Sequence, residues 1–201
     1  MIRVLVAEDQ AMVRGALKAL LSLEQDIDVV AEAASGGAAV RAALEERPDV
    51  ALLDIEMPDG DGIGAAAELR RALPSCRSLI LTTFGRPGYL KRALDAGASG
   101  FLLKDAPPGE LAEAIRRTLR GERVVDPQLA LAALSDGVSP LTERERQVLA
   151  ATSRGAGIPE IARTLFLSEG TVRNHLSAAI QKLYARNRAE AARLAEQKGW
   201  L

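Results

Sequence analysis

The sequence is poor in the residues that staple or metallate small proteins. Its 201 residues hold one cysteine, Cys76, and one histidine, His175. A single cysteine cannot close an internal disulfide, and Cys76 with His175 makes no standard zinc spacing. A disulfide scaffold and a zinc-finger site are therefore both excluded, and a reducing compartment fits. Aromatic residues make up only 3%. No apolar run approaches the ~18 residues of a membrane span, and the run between Arg3 and Glu8 is too short for a signal-peptide core. Net charge is nearly absent as well: 26 basic against 27 acidic side chains leave −1, which names no partner. What is present is 48% hydrophobic and 26% charged, enough apolar material for packed cores and too much for a disordered chain. The length suits two small domains.

The near-zero charge is a cancellation. Residues 1–121 carry 15 basic and 18 acidic side chains, whereas residues 140–201 carry 10 basic and 6 acidic. An acidic front and a basic rear are expected where one part holds cations and the other meets a polyanion, although +4 on some sixty residues is also common on an ordinary solvated surface.

The front half alternates short apolar runs with helical patterns. "IRVLVA", "DVVAEA", "DVALLD", "SLILTTF" and "GFLLK" are five strand candidates. Between and after them come "AMVRGALKALLSL", "GGAAVRAALEE", "GIGAAAELRRAL", "GYLKRALDAGA" and "GELAEAIRRTLRG". Continuous apolar strands in strict alternation with helices predict an α/β domain, a doubly wound five-stranded parallel sheet ending near Gly121. Residues 122–139 read as a linker with one short helix. From Pro140 onward only helical patterns remain, predicting a small all-α four-helix domain.

In a doubly wound sheet, ligands sit beyond the carboxyl ends of the strands. Those ends carry the unusual residues: Glu8 and Asp9 after the first strand, Asp54 at the third, Thr82 and Thr83 at the fourth, Lys104 at the fifth. Taken singly, an acidic strand end is most often a helix cap and a lysine a surface charge. Together, three carboxylates repel one another unless a cation compensates. Hard oxygen ligands point to Mg²⁺. Phosphoryl transfer to a carboxylate uses such parts: Asp54 attacks, Mg²⁺ and Lys104 neutralise the equatorial oxygens, and Thr82 hydrogen-bonds one of them.

"AEDQ", "DIEMPDGDG", "LTTF" and "GFLLKD" closely resemble the receiver domains of bacterial two-component response regulators, over residues 1–121. The resemblance implies a flavodoxin-like fold with Asp54 as phosphoacceptor. It implies Asp9 and Asp54 as Mg²⁺ ligands, Glu8 nearby through water, and the backbone carbonyl of Glu56 completing the protein ligands. Pro58 and Gly62 match the loop after the phosphoacceptor, and Thr82 and Phe101 match the switch pair. It also implies a sensor histidine kinase as partner, and no enzymatic activity beyond the receiver's own phosphotransfer and dephosphorylation. A haloacid-dehalogenase-type phosphatase shares the aspartyl phosphate, but needs a second Asp two residues after a nucleophile on the first strand. Position 56 is Glu, on the third strand.

In the tail, Ser168 is a good N-cap for a helix from Glu169. Val172, Leu176, Ala179, Ile180 and Leu183 share one face, which must pack on "EIARTLF". The opposite face presents Gly170, Asn174, Ser177 and Gln181, flanked by Arg173 on one side and by Thr171, His175 and Lys182 on the other. Such a face suits the major groove, and periodicity alone weighs it evenly against a solvated face. "LTERERQVLA" and "GAGIPEIARTLFLSEGTVRNHLSAAIQKLYARNRAEA" resemble the LuxR-type helix-turn-helix of the NarL/FixJ class. By that resemblance residues 169–183 form the recognition helix and 158–165 the supporting helix. Arg173, Asn174 and Ser177 then fall at base edges, Thr171 and Lys182 at phosphates, and His175 takes a packing or backbone role. "LTTFGRPGY" and "KGWL" resemble the DesR-like subgroup. The implied protein is a cytoplasmic bacterial regulator that binds double-stranded DNA and dimerises when phosphorylated. Its dimer face is α-helical, near residues 87–97, 107–120 or the first helix. The competing reading is a phosphorylation-controlled protein-binding module without DNA output.

Overall fold

Each apolar run in the first half becomes a strand and each Ala-rich run a helix. The chain, described from a computed structural model over residues 1–83, 87–126, 130 and 139–201, divides into two compact units. The first runs β1 (Ile2–Ala7), α1 (Ala11–Leu21), β2 (Ile27–Ala33), α2 (Gly36–Glu46), β3 (Val50–Asp54) and α3 (Gly62–Ala72). It continues with β4 (Arg77–Thr82), α4 (Pro87–Ala96, from Leu90 onward in this unit), β5 (Gly100–Leu103), α5 (Pro108–Leu119) and β6 (Val124–Val125). All pairings are parallel, in the order β2-β1-β3-β4-β5-β6.

The doubly wound sheet is therefore as expected in class but has six strands instead of five. Val124 pairs with Gly100 and Val125 with Phe101, and the Val124 N–H reaches the Ser99 carbonyl at 3.2 Å. Two residues cannot display a period, so the sequence places them with the connecting stretch. In that stretch, residues 127–129 and 131–138 lie outside the described residues, and the short helix expected there with them.

Alternation along the strands explains why both sheet faces are apolar. Val4, Val6, Leu52, Leu79, Leu81 and Leu102 join Leu111 and Ile115 of α5 and Leu21 of α1 in one core. Leu5, Leu53, Ile80 and Phe101, one residue out of phase, are fully buried on the other face. Cys76, just before β4, is also buried, and burial pushes its thiol up to about 12. Native protein at about pH 8 should therefore resist iodoacetamide until it is unfolded. Prompt alkylation of the folded chain would contradict this placement.

The second unit holds α6 (Glu143–Ser153), α7 (Ile158–Leu165), α8 (Glu169–Lys182) and α9 (Arg188–Gln197). The four expected helices are present. Pro159 lies in the first turn of α7, where its missing N–H is harmless. Phe166 takes a left-handed φ of 55° and stops that helix. Ser168 then caps α8, accepting the Thr171 N–H at 3.0 Å. Val172, Leu176 and Ala179 are buried against Ile161 and Ala162 of α7, with Ile180 and Leu183 partly buried beside them.

A capping box starts α6: Thr142 accepts the Glu145 N–H at 3.3 Å and Glu145 accepts the Thr142 N–H at 2.7 Å. Lys182 Nζ lies 2.7 Å from Glu145 Oε2, which ties the end of α8 to the start of α6. Burial pushes the Glu145 carboxyl up, but the Lys182 ammonium and the Thr142 N–H outweigh it and hold it below its ordinary value. A depressed native pKa gives stability that is present above the unfolded value near 4.5 and is lost as pH falls through the native one. Glu145→Gln keeps a capping-box acceptor and removes the charge. It should cost about 1–2 kcal/mol at neutral pH, measured by thermal unfolding, and the difference from wild type should vanish on acidification.

Candidate functional site

The strand order reverses between β1 and β3, because the chain winds outward to β2 on one side and through β4, β5 and β6 on the other. Such a reversal opens a crevice at the carboxyl ends of those two strands. Glu8 and Asp9 directly follow β1, and Asp54 closes β3. Glu8 extends the ladder, donating its N–H to the Ala33 carbonyl at 3.0 Å, while its carbonyl accepts Arg14 Nη1 at 2.6 Å. Its side chain is fully buried, and Oε1 accepts the Gln10 N–H at 3.1 Å.

Lys104 enters from the end of β5. Its N–H donates to the Thr82 carbonyl at 2.8 Å, which locks the ends of β4 and β5 together. Its ammonium lies 2.6 Å from Glu8 Oε2 and 3.0 Å from Asp54 Oδ2. Burial pushes the Glu8 and Asp54 carboxyls above their ordinary range, and the Lys104 ammonium only partly offsets this. Lys104 is itself held above the usual lysine value, because the two carboxylates outweigh its own desolvation.

Glu8, Asp9 and Asp54 each present a carboxylate oxygen within 4.8 Å of the others. Three carboxylates against one ammonium leave an excess of two negative charges when all are ionised. That excess and an all-oxygen donor set fit a hard divalent cation such as Mg²⁺. The other expected residues fall around this cluster. Thr82 is buried at the end of β4, and Phe101 is fully buried in the lateral row that runs Leu53, Ile80, Phe101. Glu56 lies two residues past Asp54 with its side chain exposed. Sequence reasoning did not supply the direct Lys104–Glu8 pair, since the sequence places Glu8 near the metal and pairs it with nothing.

The loop after Asp54 is held by close backbone approach. Asp59 and Gly60 take left-handed φ values of 51° and 94°, and Asp61 caps α3 by accepting the Gly64 N–H at 2.6 Å. At Gly62 a Cβ would overlap the carbonyl oxygen of Asp54. Gly62→Ala must therefore shift the backbone of Asp54 itself. Overpacking of this kind costs about 1–3 kcal/mol, and phosphate uptake from acetyl phosphate should fall with it. An unchanged uptake rate would show that Asp54 does not depend on this contact.

In the helical unit, Gly170, Arg173, Asn174, Ser177 and Gln181 of α8 are exposed, while Thr171 and His175 are half-buried. Arg173 Nη2 pairs with Glu169 Oε2 at 2.8 Å, one turn back. Thr171 shares the capping site, its hydroxyl 2.8 Å from that of Ser168. Lys182 departs from a simple phosphate contact, since its ammonium is held by both oxygens of Glu145. No helix among the described residues is long and apolar enough to cross a membrane.

Residues 4–116 match the family "Response regulator receiver domain", and residues 139–195 match "Bacterial regulatory proteins, luxR family". The chain is 48% identical over 201 residues to the uncharacterized transcriptional regulatory protein YvfU of Bacillus subtilis, covering all of both chains. It is 46% identical over 200 residues to the transcriptional regulatory protein DesR of the same organism, covering 100% of this chain and 99% of DesR. A structure of RcsB from Salmonella enterica serovar Typhimurium, bound to promoter rprA in the presence of the phosphomimetic BeF3-, aligns with a TM-score of 0.72. That alignment has 25% identity and covers 96% of both chains.

Proposed function

Because the chain belongs to the response regulators that join a receiver domain to a LuxR-type DNA-binding domain, we propose that Asp54 is its phosphoacceptor and that phosphorylation there controls dimerisation on DNA. The observation that carries this reading is the cluster of Glu8, Asp9 and Asp54 around Lys104 at the switch point of the sheet. The receiver takes residues 1–121, β6 within the connecting stretch 122–139 adds a strand to its sheet, and residues 140–201 form the DNA-binding domain.

In the transfer step an Asp54 carboxylate oxygen attacks the phosphorus of a phosphohistidine on a partner histidine kinase. A P–O bond forms, the P–N bond breaks, and the imidazole leaves with the electron pair and takes up a proton. Asp9 and Asp54, with the Glu56 carbonyl and Glu8 behind them, would hold Mg²⁺, which supplies charge neutralisation at the phosphoryl oxygens when bound. Lys104, already 3.0 Å from Asp54 Oδ2, pairs with a phosphoryl oxygen once Asp54 carries the acyl phosphate. The Thr82 hydroxyl donates to another, and Phe101 fills the space behind it. Beyond this transfer and the hydrolysis of the acyl phosphate, the receiver performs no catalysis.

A regulator of this kind works in the bacterial cytoplasm. Its tail meets duplex DNA with Arg173, Asn174 and Ser177 at base edges and Thr171 at a phosphate, and Lys182 serves a second phosphate only by giving up Glu145. Such small domains read DNA in pairs, with half-sites about one turn (~10 bp) apart. Titration of the phosphorylated protein into a random-site duplex pool tests the output. Affinity should fall steeply between ~50 and ~200 mM salt, as phosphate neutralisation requires. No binding at low salt would leave a protein-binding module in its place.

A further inference from the structure

The amino ends of the strands, opposite the Asp54 pocket, hold a second polar site. A cleft of about 420 Å³ opens between the starts of β4 and β5 and the carboxyl end of α5. Arg70, Arg77 and Arg123 all line it. Elsewhere in this unit Arg3, Arg14, Arg92, Arg116, Arg117 and Arg120 pair with carboxylates. Among the described residues, none of the three cleft arginines has an ion-pair partner, which is also true of Arg41, Arg47 and Arg71 outside the cleft; what sets the three apart is that they share one cleft. The one lining carboxylate, Glu122, is already held by Arg117 and Arg120 at 2.8 and 2.9 Å.

A second, independent feature lies in the wall of the same cleft. Thr118 lines it, is fully buried, and its hydroxyl has no hydrogen-bond partner. An unmade hydrogen bond on a buried hydroxyl costs about 1–3 kcal/mol, a penalty that a ligand acceptor would remove. Buried Ser78 adds another hydroxyl to the lining. The rim is shaped for one of the cations: at Gly97, where φ is +92°, a Cβ would overlap the side chain of Arg70, so glycine there lets Arg70 lie across the end of α4. The carbonyl ends of α3 and α4 favour cations nearby. That accounts for Arg70 in the last turn of α3, but not for Arg77, Arg123 or the orphaned hydroxyl.

We propose that this cleft binds a small phosphorylated compound, no larger than a mononucleotide, at a site separate from Asp54. Guanidinium groups offer planar pairs of donors that match phosphoryl oxygens. Three of them suit a group with two or more negative charges, and the two hydroxyls donate to its remaining lone pairs. The volume of about 420 Å³ lies in the range of small-molecule pockets, roughly 300–1,000 Å³.

Calorimetric titration of the full chain with pyrophosphate, with adenosine monophosphate and with citrate tests this. The buffer is stripped of divalent cations on a chelating resin, and each titration is repeated on Asp54→Asn so that the phosphorylation pocket is out of play. Pyrophosphate or adenosine monophosphate should bind saturably below about 1 mM. The Arg77→Gln/Arg123→Gln double variant should bind at least ~10-fold more weakly. Thr118→Val should also weaken binding while leaving the unfolding temperature unchanged or higher, because its hydroxyl has no partner to lose. Absence of saturable binding for both phosphoryl probes, or equal affinity in the double variant, would overturn the proposal. Citrate binding as tightly as pyrophosphate would overturn the phosphoryl assignment.

Discussion

Asp54→Asn should give a folded chain that takes up no phosphoryl group from acetyl phosphate and Mg²⁺, and that is at least as stable as wild type in metal-free buffer. The first half follows from chemistry, because an amide oxygen is too weak a nucleophile to replace the carboxylate. The second half follows from geometry. Asp54 is buried, and its carboxyl oxygens crowd those of Glu8 and Asp9, with only Lys104 to compensate. Removing one negative charge relieves repulsion and leaves Lys104 paired to Glu8 at 2.6 Å. Intact mass and thermal unfolding on the same sample check both halves. A variant that still gained a phosphoryl group would place the acceptor elsewhere, and a strongly destabilised one would mean that Asp54 serves the fold.

Substitutions on α8 should separate reading from holding. Asn174→Ala removes an exposed amide that has no side-chain hydrogen bond among the described residues. It should leave stability unchanged and weaken specific DNA binding by about 1–3 kcal/mol, roughly 5- to 150-fold, with relaxed preference at one base pair. Arg173→Ala should do the same, since its exposed pair with Glu169 contributes little. Lys182→Ala should behave in the opposite way. It leaves the buried Glu145 carboxylate without its cation, so the loss should appear first as a lower unfolding temperature of the helical unit. Anisotropy titrations with a selected duplex, set beside unfolding curves, check the contrast. Equal stability of Lys182→Ala and wild type would show that the Glu145 pair contributes nothing.

How much was legible in the sequence depends on what kind of information each feature needs. Parallel βα alternation fixes strand direction, so every residue at a strand's carboxyl end is sent to the same edge. Asp54, Asp9 and Lys104 could therefore be grouped from order alone. The α8 stripe of Val172, Leu176 and Ala179 was equally plain, because the helical period is local. Pairings that depend on how elements cross were not legible. Lys182 and Glu145 lie 37 residues apart and meet only because α6 and α8 pack together. The Lys104–Glu8 contact rests on the depth to which β1 buries Glu8, and Thr118 reads in sequence as one more polar residue near a helix end. Strand β6 escaped for a simpler reason: two valines have no period.

Native mass spectrometry of the wild-type chain, before and after treatment with acetyl phosphate and Mg²⁺, reads phosphoryl content and oligomeric state in one spectrum. Untreated chains should be monomers, and the dimer peak should consist of chains carrying one phosphoryl group each and be absent from Asp54→Asn. Dimers of unmodified chains at the same abundance as phosphorylated ones would contradict it.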